Sequence, residues 1–151
     1  MSSLGFDVLD RHVVDGRGED IACTDATGSL TYARLLERSA ALAGGLGVLG
    51  VRLGDEVDVA VEPGNLQVLI VCACIRLGAV PGDRGDTRIA DVDGTVMVHL
   101  GDHEDDLAVV MKAGKADPAP SRKSDPDDYD QQVRATFGAI VDALLAGSTI
   151  S

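Results

Sequence analysis

Aromatic side chains are nearly absent from this 151-residue chain, which has two Phe, two Tyr and no Trp. Base-stacking surfaces for nucleic acid are therefore scarce. Basic residues are also few, 13 Lys and Arg against 25 Asp and Glu, a net charge of −12. Such a chain repels phosphate backbones and anionic lipid, which argues against nucleic-acid and membrane-surface partners. Long apolar runs are missing too. The longest, Leu66 to Ile75, is interrupted by Gln67 and followed by Arg76, short of the roughly 18–20 residues a bilayer span needs. Residues 1–12 carry Asp7 and Asp10 and lack the basic-then-apolar order of a secretory signal. Cysteine is limited to Cys23, Cys72 and Cys74, an odd number without framework spacing. Cys72 and Cys74 point to different sides of a helical pattern, so the expectation is buried free thiols in a reducing, cytoplasmic setting.

What is present is enough for a core. Hydrophobic residues make up 45% of the chain, which argues against wholesale disorder. A domain of this size buries about 68–70% of its unfolded surface. The expectation is a single α/β domain over 1–151. Phe6, Leu9 and Val13 recur at helical spacing. Ile21 to Thr24 and Ser29 to Thr31 read as strands around a turn ending in Gly28. Thr31 is placed to cap a helix running to about Gly44, where a Gly-rich stretch to Gly54 ends it. Val57, Val59 and Val61 alternate as a strand with one covered face. After Pro63-Gly-Asn65, residues Leu66 to Leu77 form a helix apolar almost all round. Such a helix is buried, or it covers a sheet and then meets another chain.

From Gly82 the character changes. Residues 83–130 hold 13 acidic and 6 basic residues. Within the divergent segment 82–126, Thr95 to Leu100 and Leu107 to Met111 read as strands, and residues 113–126 as a Pro-containing loop. A carboxy-terminal amphipathic helix over 127–147 follows. Asp125 is placed to cap it, and Val133, Phe137, Ile140, Val141, Leu144 and Leu145 form its stripe. The alternation implies a three-layer-like α/β subdomain with a mixed, mostly parallel sheet and flanking helices.

Several motifs invite chemistry. Gly45-Leu-Gly47-Val-Leu-Gly50 matches the dinucleotide fingerprint by letter, yet it follows a helix and precedes a strand, the reverse of the order that aims helix amides at a pyrophosphate. Asp91-Val-Asp93-Gly94-Thr95 resembles the first motif of haloacid-dehalogenase-type phosphatases, with Asp91 as nucleophile and Asp93 as general acid. Gly101-Asp102 with Asp106 resembles that family's acidic metal motif, but too few residues separate the two. A turn at Asp91-Val-Asp93-Gly94 before a strand accounts for the same letters. His99 and His103 with Asp102, Glu104, Asp105 and Asp106 hold enough donors for a divalent cation. A charge run of this kind usually marks a solvated face, and no metal is expected. His12 has no partner near it in sequence, and neither a nucleophile elbow nor a P-loop is present.

Residues 20–81 resemble the amino-terminal portion of the adenylate-forming (AMP-binding) superfamily of acyl-CoA synthetases, luciferases and adenylation domains. The resemblance rests on Asp25-Ala-Thr-Gly-Ser-Leu-Thr-Tyr32, Leu35 and the Ala40–Leu46 helix, then Gly50-Val-Arg-Leu-Gly-Asp55 with Val57 to Val61. It continues through Pro63-Gly-Asn65 and Ile75-Arg-Leu-Gly-Ala-Val-Pro81. One departure stands out: the family usually has Glu where Arg34 stands, three residues after the Thr31 cap, completing a capping box. Arg34 opposes the helix dipole there, weakening the helix start by about 0.5–1 kcal/mol.

The family's Ser/Thr/Gly-rich phosphate loop, adenine motif, ribose-binding Asp and Lys-bearing mobile domain are not found in this sequence. The resemblance therefore implies scaffold without catalytic residues, and no cofactor is expected. The reading is a stand-alone, non-catalytic relative with an interaction or remnant role, pairing with itself or with another protein through the Leu66–Leu77 and final helices. The alternative is a binding protein for a nucleotide or acyl-CoA ligand, with residues the sequence does not single out. A remote third is the phosphatase through Asp91 and Asp93.

Overall fold

The computed structural model describes residues 3–151; Met1 and Ser2 of the amino-terminal stretch lie outside it. A π-helical turn over Phe6–Asp10 runs into α1 (Arg11–Val14). Strands β1 (Ile21–Asp25) and β2 (Gly28–Thr31) pair antiparallel. Gly28 takes φ 132° at the turn, a value an L-residue rarely adopts. Thr31 then caps α2 (Tyr32–Leu49), its Oγ1 accepting from the Arg34 amide at 3.1 Å.

Helix α2 does not stop at Gly44. It continues to Leu49 and ends on Gly50, at φ 116°. The glycines before Gly50 serve packing. A Cβ on Gly45 would meet the Val110 carbonyl oxygen at 2.0 Å, and one on Gly44 the Asp117 oxygen at 2.3 Å. From the other side, a Cβ on Gly114 would meet the Ala41 oxygen at 1.7 Å. These positions let α2 and α4 (Leu107–Gly114) touch backbone to backbone.

Helix α4 replaces the strand expected at Leu107–Met111. A five-residue apolar run does not distinguish strand from helix. Here the Asp106 Oδ1 accepts from the Ala108 amide at 2.8 Å and starts the helix. Leu107, Val110 and Gly114 face inward at helical spacing, while Val109 is exposed.

The main sheet has the order β4-β3-β5-β6-β7. Strand β3 (Glu56–Ala60) pairs parallel with β4 (Val80–Gly82) on one side and β5 (Thr87–Val92) on the other. Helix α3 (Asn65–Leu77) connects β3 to β4. The chain then returns across β3 so closely that a Cβ on Gly85 would meet the Glu56 carbonyl oxygen at 2.1 Å. Strands β6 (Thr95–Leu100) and β7 (His103–Asp106) extend β5 as an antiparallel meander. The sheet is mixed, with its parallel half confined to the two neighbours of β3. Segment 82–126 thus contributes three strands and a helix, where two strands had been expected.

Helix α3 is buried by the chain itself from Val68 to Arg76. Arg76, 4% exposed, reaches the Asp10 carboxylate at 2.6 Å and the Ala119 carbonyl at 3.0 Å, so its charge is paired where burial would otherwise be costly. Helix α5 (Tyr129–Leu145) turns Val133, Phe137, Val141 and Leu144 inward. The two helices expected to form contact surfaces therefore face the core. Asp125 does not cap α5; its Oδ2 accepts from the Leu4 amide at 2.7 Å. The helix starts after Asp128, which has φ 64°. Beyond α5, Ile150 pairs beside β1, exchanging bonds with Ala22 and Thr24, both 2.8 Å.

Candidate functional site

The motifs singled out in the sequence disperse in three dimensions. Asp91 Oδ1 accepts from the Gly94 amide at 2.8 Å, and Asp93 sits at φ 54°, so both shape the β5–β6 turn. The turn that the two residues build accounts for the letters of the phosphatase-like motif. The Gly45–Gly50 stretch lies within and at the end of α2, away from any helix start.

The acidic cluster divides among separate duties. Asp106 caps α4, Asp102 lies in the β6–β7 turn, and Glu104 stands opposite His99 with 3.9 Å between Oε2 and Nδ1. Asp58, Arg88, His99 and Glu104 form one row across β3, β5, β6 and β7. Arg88 approaches Asp58 at 3.9 Å. Among the described residues, no group of three or more His, Cys, Asp and Glu side chains is arranged to hold a metal ion. His12 is buried, bonded through Nε2 to the Leu144 carbonyl at 2.6 Å and packed 4.7 Å from the Tyr32 ring. Its partners come from 20 and more positions away, which local spacing does not reveal.

The three thiols are free and buried. Burial pushes Cys23 up to about 11, with the Asp25 charge adding to it, and Cys74 up to about 12. Cys72 is raised by burial as well. Thiols held in this state are poor nucleophiles near neutrality.

A cleft of about 400 Å³ remains between the β1–β2 turn, α2 and the start of α3. Its construction begins with Asp25. One carboxylate oxygen accepts from the Thr27 hydroxyl at 2.5 Å and amide at 2.8 Å; the other accepts from the Asn65 amide at 2.8 Å. The Thr27 hydroxyl, then the Asn65 and Thr27 amides, hold the Asp25 carboxyl below its ordinary value. Helix α3 lacks a side-chain cap from its own preceding residue, Gly64. Asp25, 40 residues away, takes that place and suits the positive end of the helix.

Asn65 Nδ2 in turn donates to the Gly28 carbonyl at 2.9 Å, while its Oδ1 is buried without a donor. Arg34 and Arg38, four residues apart on α2, line the same cleft. Neither guanidinium has a carboxylate partner among the described residues. Sequence reading noticed Arg34 as a departure and Asn65 in the turn before α3, and missed Arg38 altogether; Asn65 is the first residue of that helix, not its cap. Only the fold brings the three together.

Comparison with known proteins places the molecule. The family described as AMP-binding enzyme matches residues 10–82. The mouse (Mus musculus) "Acyl-CoA synthetase short-chain family member 3, mitochondrial" is 31% identical over 86 residues, covering 53% of this chain and 13% of that protein. An acetyl-coenzyme A synthetase of Burkholderia thailandensis is 31% identical over 132 residues, covering 79% of this chain and 19% of that one. The chain thus spans less than a fifth of the length of either relative. Among solved structures, a long-chain-fatty-acid-CoA ligase from Archaeoglobus fulgidus superposes with a TM-score of 0.61 at 16% identity, over 80% of this chain and 32% of that chain. That likeness concerns the fold. Over residues 10–82 the chain resembles the amino-terminal portion of the AMP-binding superfamily, of the acyl-CoA synthetase type.

Proposed function

We propose that this chain is a non-catalytic scaffold of the acyl-CoA synthetase type, acting through protein association, with itself or another chain, rather than by turning over an acyl group. The observation that supports this reading is where the polar side chains of the family-like segment go. Asp25 holds the start of α3, the Tyr32 hydroxyl donates to the Ser148 carbonyl at 2.7 Å, and Arg76 ties α3 to Asp10 and Ala119. Each of these groups joins elements far apart in sequence, a structural duty. The nucleophile candidates agree: burial raises the three thiols, and Tyr32 is pushed up to about 12, chiefly by burial. Acyl activation requires charged groups positioned around the transferring phosphate.

Two assays on the purified chain test the proposal. With ATP, Mg²⁺ and a panel of short carboxylates, it should support no carboxylate-dependent exchange of pyrophosphate into ATP. An exchange rate proportional to added chain overturns the non-catalytic reading. Sedimentation velocity at tens of micromolar should show a species heavier than the 15.6 kDa monomer. A strict monomer there removes self-association and leaves a different protein as partner.

A further inference from the structure

We propose that a second copy of this chain docks on the outer face of α4, the two α4 helices lying antiparallel about a two-fold axis. This rests on the reading that the chain acts through association, and it names the surface. Composition is the first ground. Helix α4 reads Leu-Ala-Val-Val-Met-Lys-Ala-Gly, with Lys112 as its one charged residue. A helix apolar nearly all round is ordinarily covered on every side. Here Leu107, Val110 and Gly114 turn inward, the last two against α2. Ala108, Val109 and Ala113 stay exposed, Val109 by 61%, and Met111 is half-buried. Helices α3 and α5 bury their apolar faces within the chain; α4 leaves much of its own outside.

Shape is the second ground. An apolar groove of about 700 Å³ runs beside this face, lined by Ala108, Met111, Lys112 and Lys115 on one side and by Leu66 and Val96 on the other. Positions 108, 111, 112 and 115 succeed one another along one side of a helix, so the groove follows the helix. Apolar side chains of a docking surface can enter it without any change of fold. An unbranched, adaptable side chain such as Met111 of a second copy suits such a groove.

Charge selects a second copy over an unrelated protein. Asp105 and Asp106 stand immediately before α4, while Lys112 lies in its last turn and Lys115 just after it. The strip is thus acidic at one end, apolar in the middle and basic at the other. None of these four side chains belongs to a salt bridge among the described residues. Such a strip is complementary to itself. A two-fold axis at the level of Val110 sets Asp105 opposite Lys115 and Ala108 opposite Lys112, and it does so twice, as an isologous contact requires. Opposite charges at both ends then fix the antiparallel register.

Sedimentation equilibrium of the whole chain and two charge variants provides the test. The parent should behave as a dimer, twice the 15.6 kDa chain. The double variant Asp105→Lys, Asp106→Asn makes both ends of the strip basic, and Asn keeps the cap of α4. The double variant Lys112→Glu, Lys115→Glu makes both ends acidic. Each variant alone should dimerise at least tenfold more weakly than the parent. An equimolar mixture of the two should regain the parent's affinity, because each then meets an end of opposite sign. Arg84→Glu, an exposed charge reversal by the opposite edge of the sheet, should leave dimerisation unchanged, and matching circular dichroism melts check that every variant folds. A strictly monomeric parent removes self-association and this interface with it. A dimeric parent whose folded variants pair as tightly overturns the α4 interface alone and leaves self-association standing. So does a mixture that pairs no better than its components.

Discussion

Gly45→Ala and Gly47→Ala are the same chemical change two residues apart on one helix, and the packing of α2 against α4 gives them opposite signs. In a helix interior, Ala is favoured over Gly by about 0.8–1.0 kcal/mol. At Gly47 the nearest atom to an added Cβ is Leu77 Cδ2 at 3.7 Å, an ordinary contact. Gly47→Ala should therefore keep most of the propensity gain and stabilise by up to about 1 kcal/mol. At Gly45 the new Cβ falls 2.0 Å from the Val110 carbonyl oxygen and 2.8 Å from Val110 Cγ1. The first of these is main chain and cannot rotate aside, so α2 and α4 must part. Overpacking of this kind costs typically about 1–3 kcal/mol, which set against the propensity gain leaves a net loss of up to about 2 kcal/mol. The two variants should then differ by about 1–3 kcal/mol, on the order of 2–12 °C in Tm for a chain of this length. Thermal melts followed by far-UV circular dichroism measure the difference directly. Gly114→Ala, with its Cβ 1.7 Å from the Ala41 oxygen, should behave like Gly45→Ala. The Gly45/Gly114 double variant should lose less than the sum, because one helix separation relieves both clashes. A Gly45→Ala melting point at or above that of the parent chain would refute the backbone contact between these helices.

Arg34→Glu should raise stability by about 0.5–1 kcal/mol, because it places the favoured charge in the first turn of α2 and can complete the capping box with Thr31; a lower Tm in low salt contradicts this. The native thiols should react far more slowly with a thiol reagent at pH 8 than they do in denaturant, where all three titrate. Rapid native modification of Cys72 or Cys74 would contradict their burial. Asp25 has a native pKa below its ordinary 3.8, so the unfolded chain binds the proton more readily. Its stabilising contribution is present above that value and is lost as pH falls through the lower native one; Asp25→Asn should flatten the acid limb of the Tm–pH profile, and an unchanged limb refutes the joint. Glu104→Val should increase concentration-dependent light scattering by removing charge from the β7 edge, and unchanged scattering would show the edge is guarded otherwise.

Much of the architecture follows from local chemistry that a sequence displays. The Asp25–Gly28 turn, the Thr31 cap, the alternation through β3 and the inward stripe of α5 each depend on residues within a few positions of one another, and each forms as expected. The differences arise where a distant partner decides. Gly44, Gly45 and Gly47 look like helix breakers until α4 lies against the first two. Leu107–Met111 has too few residues to show a period, and Asp106 settles it. Strand β5 carries Arg88 and Asp91 among only a few apolar residues, and β7 carries no apolar residue at all. Pairing with β3 and β6 makes them strands. Asp125 has a cap's position and yet bonds Leu4, 121 residues away. The cleft was least legible for the same reason: Asp25 and Asn65 meet across 40 positions, and Arg38 becomes notable only when it lines the cleft with Arg34.

The acidity of the divergent segment acquires a structural explanation from the same topology. The main sheet ends in β4 on one side and β7 on the other, and each edge exposes unpaired backbone groups able to recruit another strand. At β4 the edge is short and contains Pro81, and α5 closes over it, with the Tyr129 hydroxyl donating to the Ala79 carbonyl at 2.5 Å. At β7, the other edge, the strand reads His103-Glu-Asp-Asp106. An incoming strand would have to lie beside three carboxylates, and most strands would be repelled. Charge thus does at β7 what a helix does at β4. The carboxylates that resembled metal ligands in the sequence are explained by this edge and by the α4 cap that follows it.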